Sequence, residues 1–290
     1  MEWSDVGNGA TRTAVGPIAF VAVDQRDGNP LVRDELAHRF LPAGVRPLVA
    51  LTRFRPVRRW LINATERKMP GIWASTLCRK CYIDDRFADA VRAGVEAVVI
   101  LGAGFDTRAH RRPDPHRTRV YEVDLPENID RKRKLLRGRL GESVALVPVD
   151  LESGELPAAL SAHGYRPEQP TLFIAEAVTP YMAGESVRAM FEFLASAAAG
   201  SRLVCTFLRE SFLDGTSLRG GEALHEEYVV RRKLWRFGLD PERIGDFLAG
   251  YGWRQVEQLG PQEYADRYLA PAGRSMPVAA LETAVYAEKR

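Results

Sequence analysis

Four stretches of this sequence carry residue types that could do chemistry. The first is residues 98–108, Val-Val-Ile-Leu-Gly-Ala-Gly-Phe-Asp-Thr-Arg, an apolar run that breaks into Gly102-Ala-Gly104 and then Asp106. Glycines after a buried strand let a ligand approach the backbone at the carboxyl edge of a sheet. A dinucleotide fingerprint would place a third glycine at position 107, where Thr107 stands. A pyrophosphate on the next helix N-terminus is therefore disfavoured, and the Asp106 carboxylate would repel one.

The second stretch ends in Asp124, twenty residues beyond Gly104. An acidic side chain there can accept both hydroxyls of a ribose, as in any nucleoside site, or it can cap the helix that opens near Pro126. The third is Asp150-Leu151, where the aspartate is placed to reach an adenine amino group or serves as a turn residue. The fourth is Glu176, after the apolar run 171–175, where a cation would need a partner; the plainer reading is a polar strand-end residue. Asp106 suits a ligand with positive charge, such as the ammonium and sulfonium groups of S-adenosylmethionine (SAM). Cys78 and Cys81 form a CxxC with no second pair at zinc spacing. They read as two helix cysteines, and no metal site is expected.

These residues need elements to position them. Residues 1–95 show helical periodicity at 18–23, 31–41, 48–62 and about 76–93, punctuated by Pro17, Pro30, Pro42 and Pro47. From Glu96 the pattern changes to short apolar runs at 97–101, 120–123, 144–149, 171–175 and 203–207. Such runs predict strands buried on both faces of a parallel sheet, joined by right-handed crossovers. One crossover helix is expected over 184–199, with Val187, Met190, Phe191 and Leu194 on one face. Residues 209–240 are too long for an ordinary connection and mix Gly215, Gly220 and Gly221 with Phe212, Leu234, Trp235 and Phe237, which predicts an inserted lid. A helix at 241–249 and strands at 253–259 and 281–287 close the chain. The expected organisation is a helical cap over 1–95 and an α/β core over 96–290.

The 290 residues are 46% hydrophobic and 27% charged, enough for one large domain with an elaborated end. No run approaches the ~18 apolar residues of a membrane span. Residues 1–5 are polar and acidic with no signal-peptide pattern, so a cytoplasmic protein is expected. Net charge is +3, and its basic residues cluster at Arg53, Arg55, Arg58 and Arg59 and at Arg131, Lys132, Arg133, Lys134 and Arg137. The second cluster lacks interleaved aromatics, reads as a solvated helix face and gives no reason to expect nucleic acid.

Taken together, Leu101-Gly-Ala-Gly-Phe-Asp-Thr-Arg108, Tyr121-Glu-Val-Asp-Leu-Pro126, Val149-Asp-Leu151 and Ala175-Glu-Ala-Val-Thr-Pro-Tyr-Met182 resemble the leucine carboxyl methyltransferase-like family. Arg79-Lys-Cys-Tyr-Ile-Asp-Asp85 resembles that family's arginine-bearing helix ahead of the first strand. The resemblance spans roughly residues 13–270. It implies a SAM-dependent methyltransferase on a Rossmann-like, mostly parallel sheet of seven strands with the last antiparallel. It further implies that Arg79 binds the SAM carboxylate, Gly102 gives close backbone approach, Asp124 holds the ribose, Asp150 and Leu151 frame the adenine, and Glu176 faces the methionine end. Gly104 and Asp106 belong to the same cofactor loop. The eukaryotic protein-methylating branch has a cofactor-contacting lysine near its N-terminus; here no lysine precedes Lys68.

The expected reaction is O-methylation of a carboxyl or hydroxyl group on a small, largely apolar metabolite such as a polyketide. A hydroxyl acceptor needs a base, and His225 and Tyr181 are the candidates; a carboxylate needs none. The apolar residues at 40, 41, 54, 60 and 61 could cover the same pocket. Competing readings are a nicotinamide oxidoreductase, a SAM-binding cyclase, a SAM sensor and a protein carboxyl methyltransferase.

Overall fold

The computed structural model describes residues 15–111 and 118–290, so the reading of residues 1–5 lies outside the described residues. Every expected strand forms, within two residues of its expected ends. In chain order they are β1 (Ala97–Leu101), β2 (Arg119–Asp124), β3 (Val144–Pro148), β4 (Thr171–Ala175), β5 (Arg202–Leu208), β6 (Trp253–Leu259) and β7 (Glu282–Lys289). They make one sheet in the order β3-β2-β1-β4-β5-β7-β6. Only β7 runs antiparallel, against both β5 and β6. Its first residue therefore lies at the edge where β1, β4 and β5 end. The chain leaves β1 toward β2 and β3, then crosses back to β4, so the topological switch point lies between β1 and β4. Ligands of open α/β sheets bind outside the carboxyl ends of the strands at that point.

β1 and β4 are buried at every position because both faces are covered. One face, including Val99, Leu101, Tyr121, Phe173 and Cys205, packs on α9 (Gly184–Ala195) and α12 (Pro241–Gly250) through Val187, Phe191 and Leu248. The other, including Val98, Ile100, Ile174 and Val204, packs on Cys78, Tyr82, Ile83 and Phe87 of the long helix α5 (Ile72–Arg92).

Ahead of α5 come α1 (Val15–Asp24), α2 (Ala37–Phe40), α3 (Arg46–Leu51) and α4 (Arg55–Glu66). The single helix expected over 48–62 is two, because Pro56 has no N–H to continue the ladder and Phe54 is extended at φ −83°, ψ 119°. The helix expected over 31–41 shrinks to α2. Here Asp34 accepts the backbone N–H of Leu36 and Ala37, and the Asp24 carboxylate takes those of Leu31 and Val32. Local side-chain bonds outcompete the helix ladder. Phe40, Leu41 and Leu61 are core residues, but Phe54 and Trp60 stand in solvent, 49% and 60% exposed. That pair covers no pocket.

The basic cluster at 131–137 is only partly a solvated face. Lys132, on α7 (Pro126–Leu135), is wholly buried with its Nζ 2.7 Å from Oε2 of the equally buried Glu122. The His110 ring lies 3.3 Å from the same carboxylate. Arg58 of the other cluster is also buried and donates to the Arg26 carbonyl at 2.6 Å. Burial pushes the Cys78 thiol up to about 12 and Cys81 higher still, so neither is a thiolate. No cluster of His, Cys, Asp or Glu able to hold a metal occurs among the described residues, and none of the described helices is long and apolar enough to cross a membrane.

Residues 209–240 fold back on the body of the protein. They form α10 (Glu210–Leu213), α11 (Glu222–Leu224) and a π-helical turn, His225–Arg231. Phe212 and Leu224 pack with Leu208 and Leu281, with Met69, Ile72 and Ala279 against them.

Candidate functional site

The apolar run of β1 ends in Gly102, whose φ of +60° is a left-handed conformation that L side chains rarely adopt. A Cβ there would also lie 2.6 Å from Cγ2 of Val178. The position thus excludes side chains twice over. Gly104 follows with φ +41°, and its N–H donates to Oδ2 of Asp124. The other oxygen of Asp124 accepts the Leu125 N–H at 2.7 Å and the Asn128 side-chain amide at 2.6 Å. One carboxylate thus ties the β1 turn to the end of β2 and the first turn of α7. A carboxylate has about four acceptor sites, so it can still accept a ligand hydroxyl.

On the far side of the switch point, β4 delivers Glu176. The next residue, Ala177, has φ +52°, and its N–H donates to Oγ1 of Thr206 at 2.8 Å. This costly turn for a non-glycine fixes where Glu176 leaves the sheet. Glu176 accepts from Arg79 at 3.0 Å, Lys80 at 3.1 Å and Arg108 at 3.3 Å. Burial would raise its carboxyl pKa, but Lys80, Arg79 and Arg108 outweigh that and hold it well below the usual range. Arg79 also meets Glu282. Burial would weaken its hold on the proton, yet Glu282 and Glu176 strengthen it.

Arg108 opens the short helix α6 (Arg108–Arg111) and is wholly buried. It pairs with Asp84 at 2.9 Å and with Asp106. Asp106 thus spends its charge on Arg108, with Oδ1 also accepting that residue's N–H at 2.7 Å, and does not stand free to meet a cationic ligand. Arg111 joins Asp84 at 2.9 Å to Asp34, which accepts from Thr107 at 2.6 Å.

The sequence-derived residues therefore fall into four groups. Arg79, Glu176 and Asp106 share one ion network at the switch point, and Gly102, Gly104 and Asp124 form the turn beside it. Asp150 is exposed and accepts the Glu152 N–H at 2.9 Å, the geometry of a turn residue, while Leu151 is half-buried against the core. His225 and Tyr181 belong to an aromatic cluster. The Tyr181 and Trp235 rings are 6.4 Å apart, Trp235 and Phe212 6.1 Å, and Phe212 and His225 5.5 Å. His225 Nε2 lies 3.2 Å from the Leu213 carbonyl. A carbonyl only accepts, so that nitrogen is the donor and Nδ1 is the basic one.

Several network members escaped the sequence reading. Lys80 and Asp84 sit inside the motif around Arg79, and Arg108 closes the glycine motif, so their spacing was a usable signal. Glu282 had none, because its place depends on β7 being antiparallel.

Arg79 offers a guanidinium of the kind that pairs with a carboxylate, Asp124 keeps acceptor capacity for a hydroxyl, and the left-handed glycines leave room beside them.

Comparison with known proteins gives concordant findings. Residues 14–195 match the family model for leucine carboxyl methyltransferase. A Frankia alni protein with a provisional name as an S-adenosyl-L-methionine-dependent methyltransferase is 33% identical over 289 residues, covering 96% of this chain and 95% of its own. A Mycobacterium marinum protein of the same provisional name is 34% identical over 294 residues, covering 93% and 86%. The crystal structure of a DUF574 family protein from Streptomyces avermitilis superposes with a TM-score of 0.57 at 16% identity, covering 81% of this chain and 91% of that one.

Proposed function

We propose a function from the premise that the chain belongs to the leucine carboxyl methyltransferase family and is a SAM-dependent methyltransferase: it methylates an oxygen of a small, largely apolar metabolite such as a polyketide. The observation that carries the reading of the site is the Arg79–Glu176 pair at the switch point, one guanidinium and one carboxylate 3.0 Å apart. In this reading Arg79 takes the cofactor carboxylate and Glu176 the ammonium. Gly102 and Gly104 line the cofactor with backbone, Asp124 takes the ribose, and Asp150 with Leu151 borders the adenine.

SAM supplies a methyl group already activated on a sulfonium. The protein's own task is then to orient acceptor and methyl carbon in line and to exclude water. The cluster of Phe212, Tyr228, Trp235 and Tyr181 offers an apolar wall, with Tyr228 and Trp235 stacked at 4.6 Å. Residues 209–240 serve as its lid, and the helices before β1 serve as the cap. His225 Nδ1 can remove a proton from a hydroxyl acceptor. A carboxylate acceptor leaves it idle.

The test is turnover on a panel of aromatic hydroxyl and carboxyl acceptors with wild type and His225→Ala. For a hydroxyl acceptor the substitution lowers kcat by about 10²-fold while the SAM dissociation constant holds. Full activity of His225→Ala on a hydroxyl acceptor removes the base assignment. Methylation of peptides and of no small molecule in the panel removes the substrate class.

A further inference from the structure

The helices ahead of β1 carry a basic cavity that shares no residue with the candidate SAM site. Its volume is about 320 Å³, and its described walls are His38, Arg39, Arg46, Lys134 and Leu135. α2 supplies His38 and Arg39, α3 opens with Arg46, and the last turn of α7 adds Lys134 and Leu135. Residues 36–65 include six arginines and no aspartate or glutamate, so the segment has no acid of its own to neutralise them. Arg39, Arg46 and Lys134 have no carboxylate within ion-pair distance among the described residues. Arg46 is held in place all the same. Its Nε donates to the Leu41 carbonyl at 3.0 Å and its Nη2 to the Arg39 carbonyl at 3.0 Å. Those bonds fix the guanidinium across the turn between α2 and α3, and they use only some of its N–H donors. Cations gathered without a counter-charge repel one another, a cost that an entering anion relieves.

We infer that this cavity binds a phosphate group. Three cations call for more than the single charge of a carboxylate. A phosphate monoester carries about −1.5 to −2 near neutral pH on its terminal oxygens. Arg39 and Arg46 can meet those oxygens as planar forks, and Lys134 as a point charge. The volume lies at the low end of ligand cavities, roughly 300–1,000 Å³, and suits a small phosphorylated molecule or a headgroup. The phosphate can arrive on a soluble metabolite or on an anionic lipid. Past the cavity, α3 and α4 expose Leu51, Phe54 and Trp60 among Arg53, Arg55 and Arg59, residue types that meet a lipid interface, so both sources are tested.

The test compares wild type with two double variants at physiological salt. Arg39→Gln with Lys134→Gln removes two cations of the cavity and leaves the Arg39 carbonyl, and so the Arg46 clamp, in place. Arg137→Gln with Arg139→Gln removes the same charge from exposed residues that do not line it. Each protein is titrated with inorganic pyrophosphate and co-sedimented with phosphatidylglycerol and with phosphatidylcholine vesicles. Wild type binds pyrophosphate in the millimolar range or tighter. The cavity variant, with native circular dichroism, loses at least about tenfold in affinity, and the other variant stays near wild type. If wild type also sediments with phosphatidylglycerol but not phosphatidylcholine vesicles, and the cavity variant does not, the phosphate is that of a lipid. Pyrophosphate binding without sedimentation assigns a soluble phosphorylated ligand. Equal losses in the two variants, or no pyrophosphate binding by wild type, overturn the inference.

Discussion

Arg79 faces two carboxylates, Glu176 and Glu282, from a side chain that is 11% exposed. A lysine there keeps the charge but loses the planar fork that serves several oxygens at once. Arg79→Lys is therefore expected to weaken SAM binding by roughly 2 kcal/mol, about thirtyfold, in isothermal titration. A dissociation constant within twofold of wild type would place the carboxylate elsewhere. Gly102 is the second sensitive residue. Gly102→Ala adds a methyl at φ +60° against Val178 and should cost about 1–3 kcal/mol of stability, seen as a lowered urea midpoint, along with lost cofactor affinity. An unshifted midpoint would show that the turn relaxes freely. Much at this scale was legible, because glycine after a buried strand and acids at strand ends have local causes. Asp106 was misleading for the opposite reason: its partner Arg108 is only two residues away, yet their pairing depends on Asp84 and Glu176 arriving from distant segments.

Among the elements, α7 shows what a charge pattern alone conceals. Its Arg133, Lys134 and Arg137 neighbourhood is solvated, but Lys132 turns inward beneath the sheet to Glu122 on β2. Burial would raise the Glu122 carboxyl pKa, and Lys132, followed by His110, outweighs it and holds the value below the ordinary 4.5. A depressed carboxylate adds stability that is complete above its ordinary value and is lost as pH falls through its folded value. Lys132→Met leaves that carboxylate uncompensated and should cost about 3–5 kcal/mol at pH 7. At pH 4 the orphaned carboxylate is protonated in the variant, so the gap in melting temperature to wild type should narrow. Equal gaps at pH 7 and pH 4 would show that Glu122 carries no charge in the fold. Helix breaks were similarly hard to read. Pro56 was visible in the sequence, but the competition of Asp24 and Asp34 for backbone N–H groups appears only once those groups are in space.

Across the whole molecule, the sheet order follows from the run of strands, and β1 and β4 sit where that order reverses. Apolar runs of five residues separated by helix-length segments dictate this much, because both faces of each central strand must be covered. The antiparallel final strand brings Glu282 to the functional edge and was implied only by the family resemblance. The central claim is that this edge holds the amino-acid end of SAM between Arg79 and Glu176. The most direct test is titration of the wild-type protein with SAM and with decarboxylated SAM, which differ only in the group assigned to Arg79. The account predicts micromolar binding of SAM and a loss of about thirtyfold for the decarboxylated form. Equal affinity for the two would contradict it.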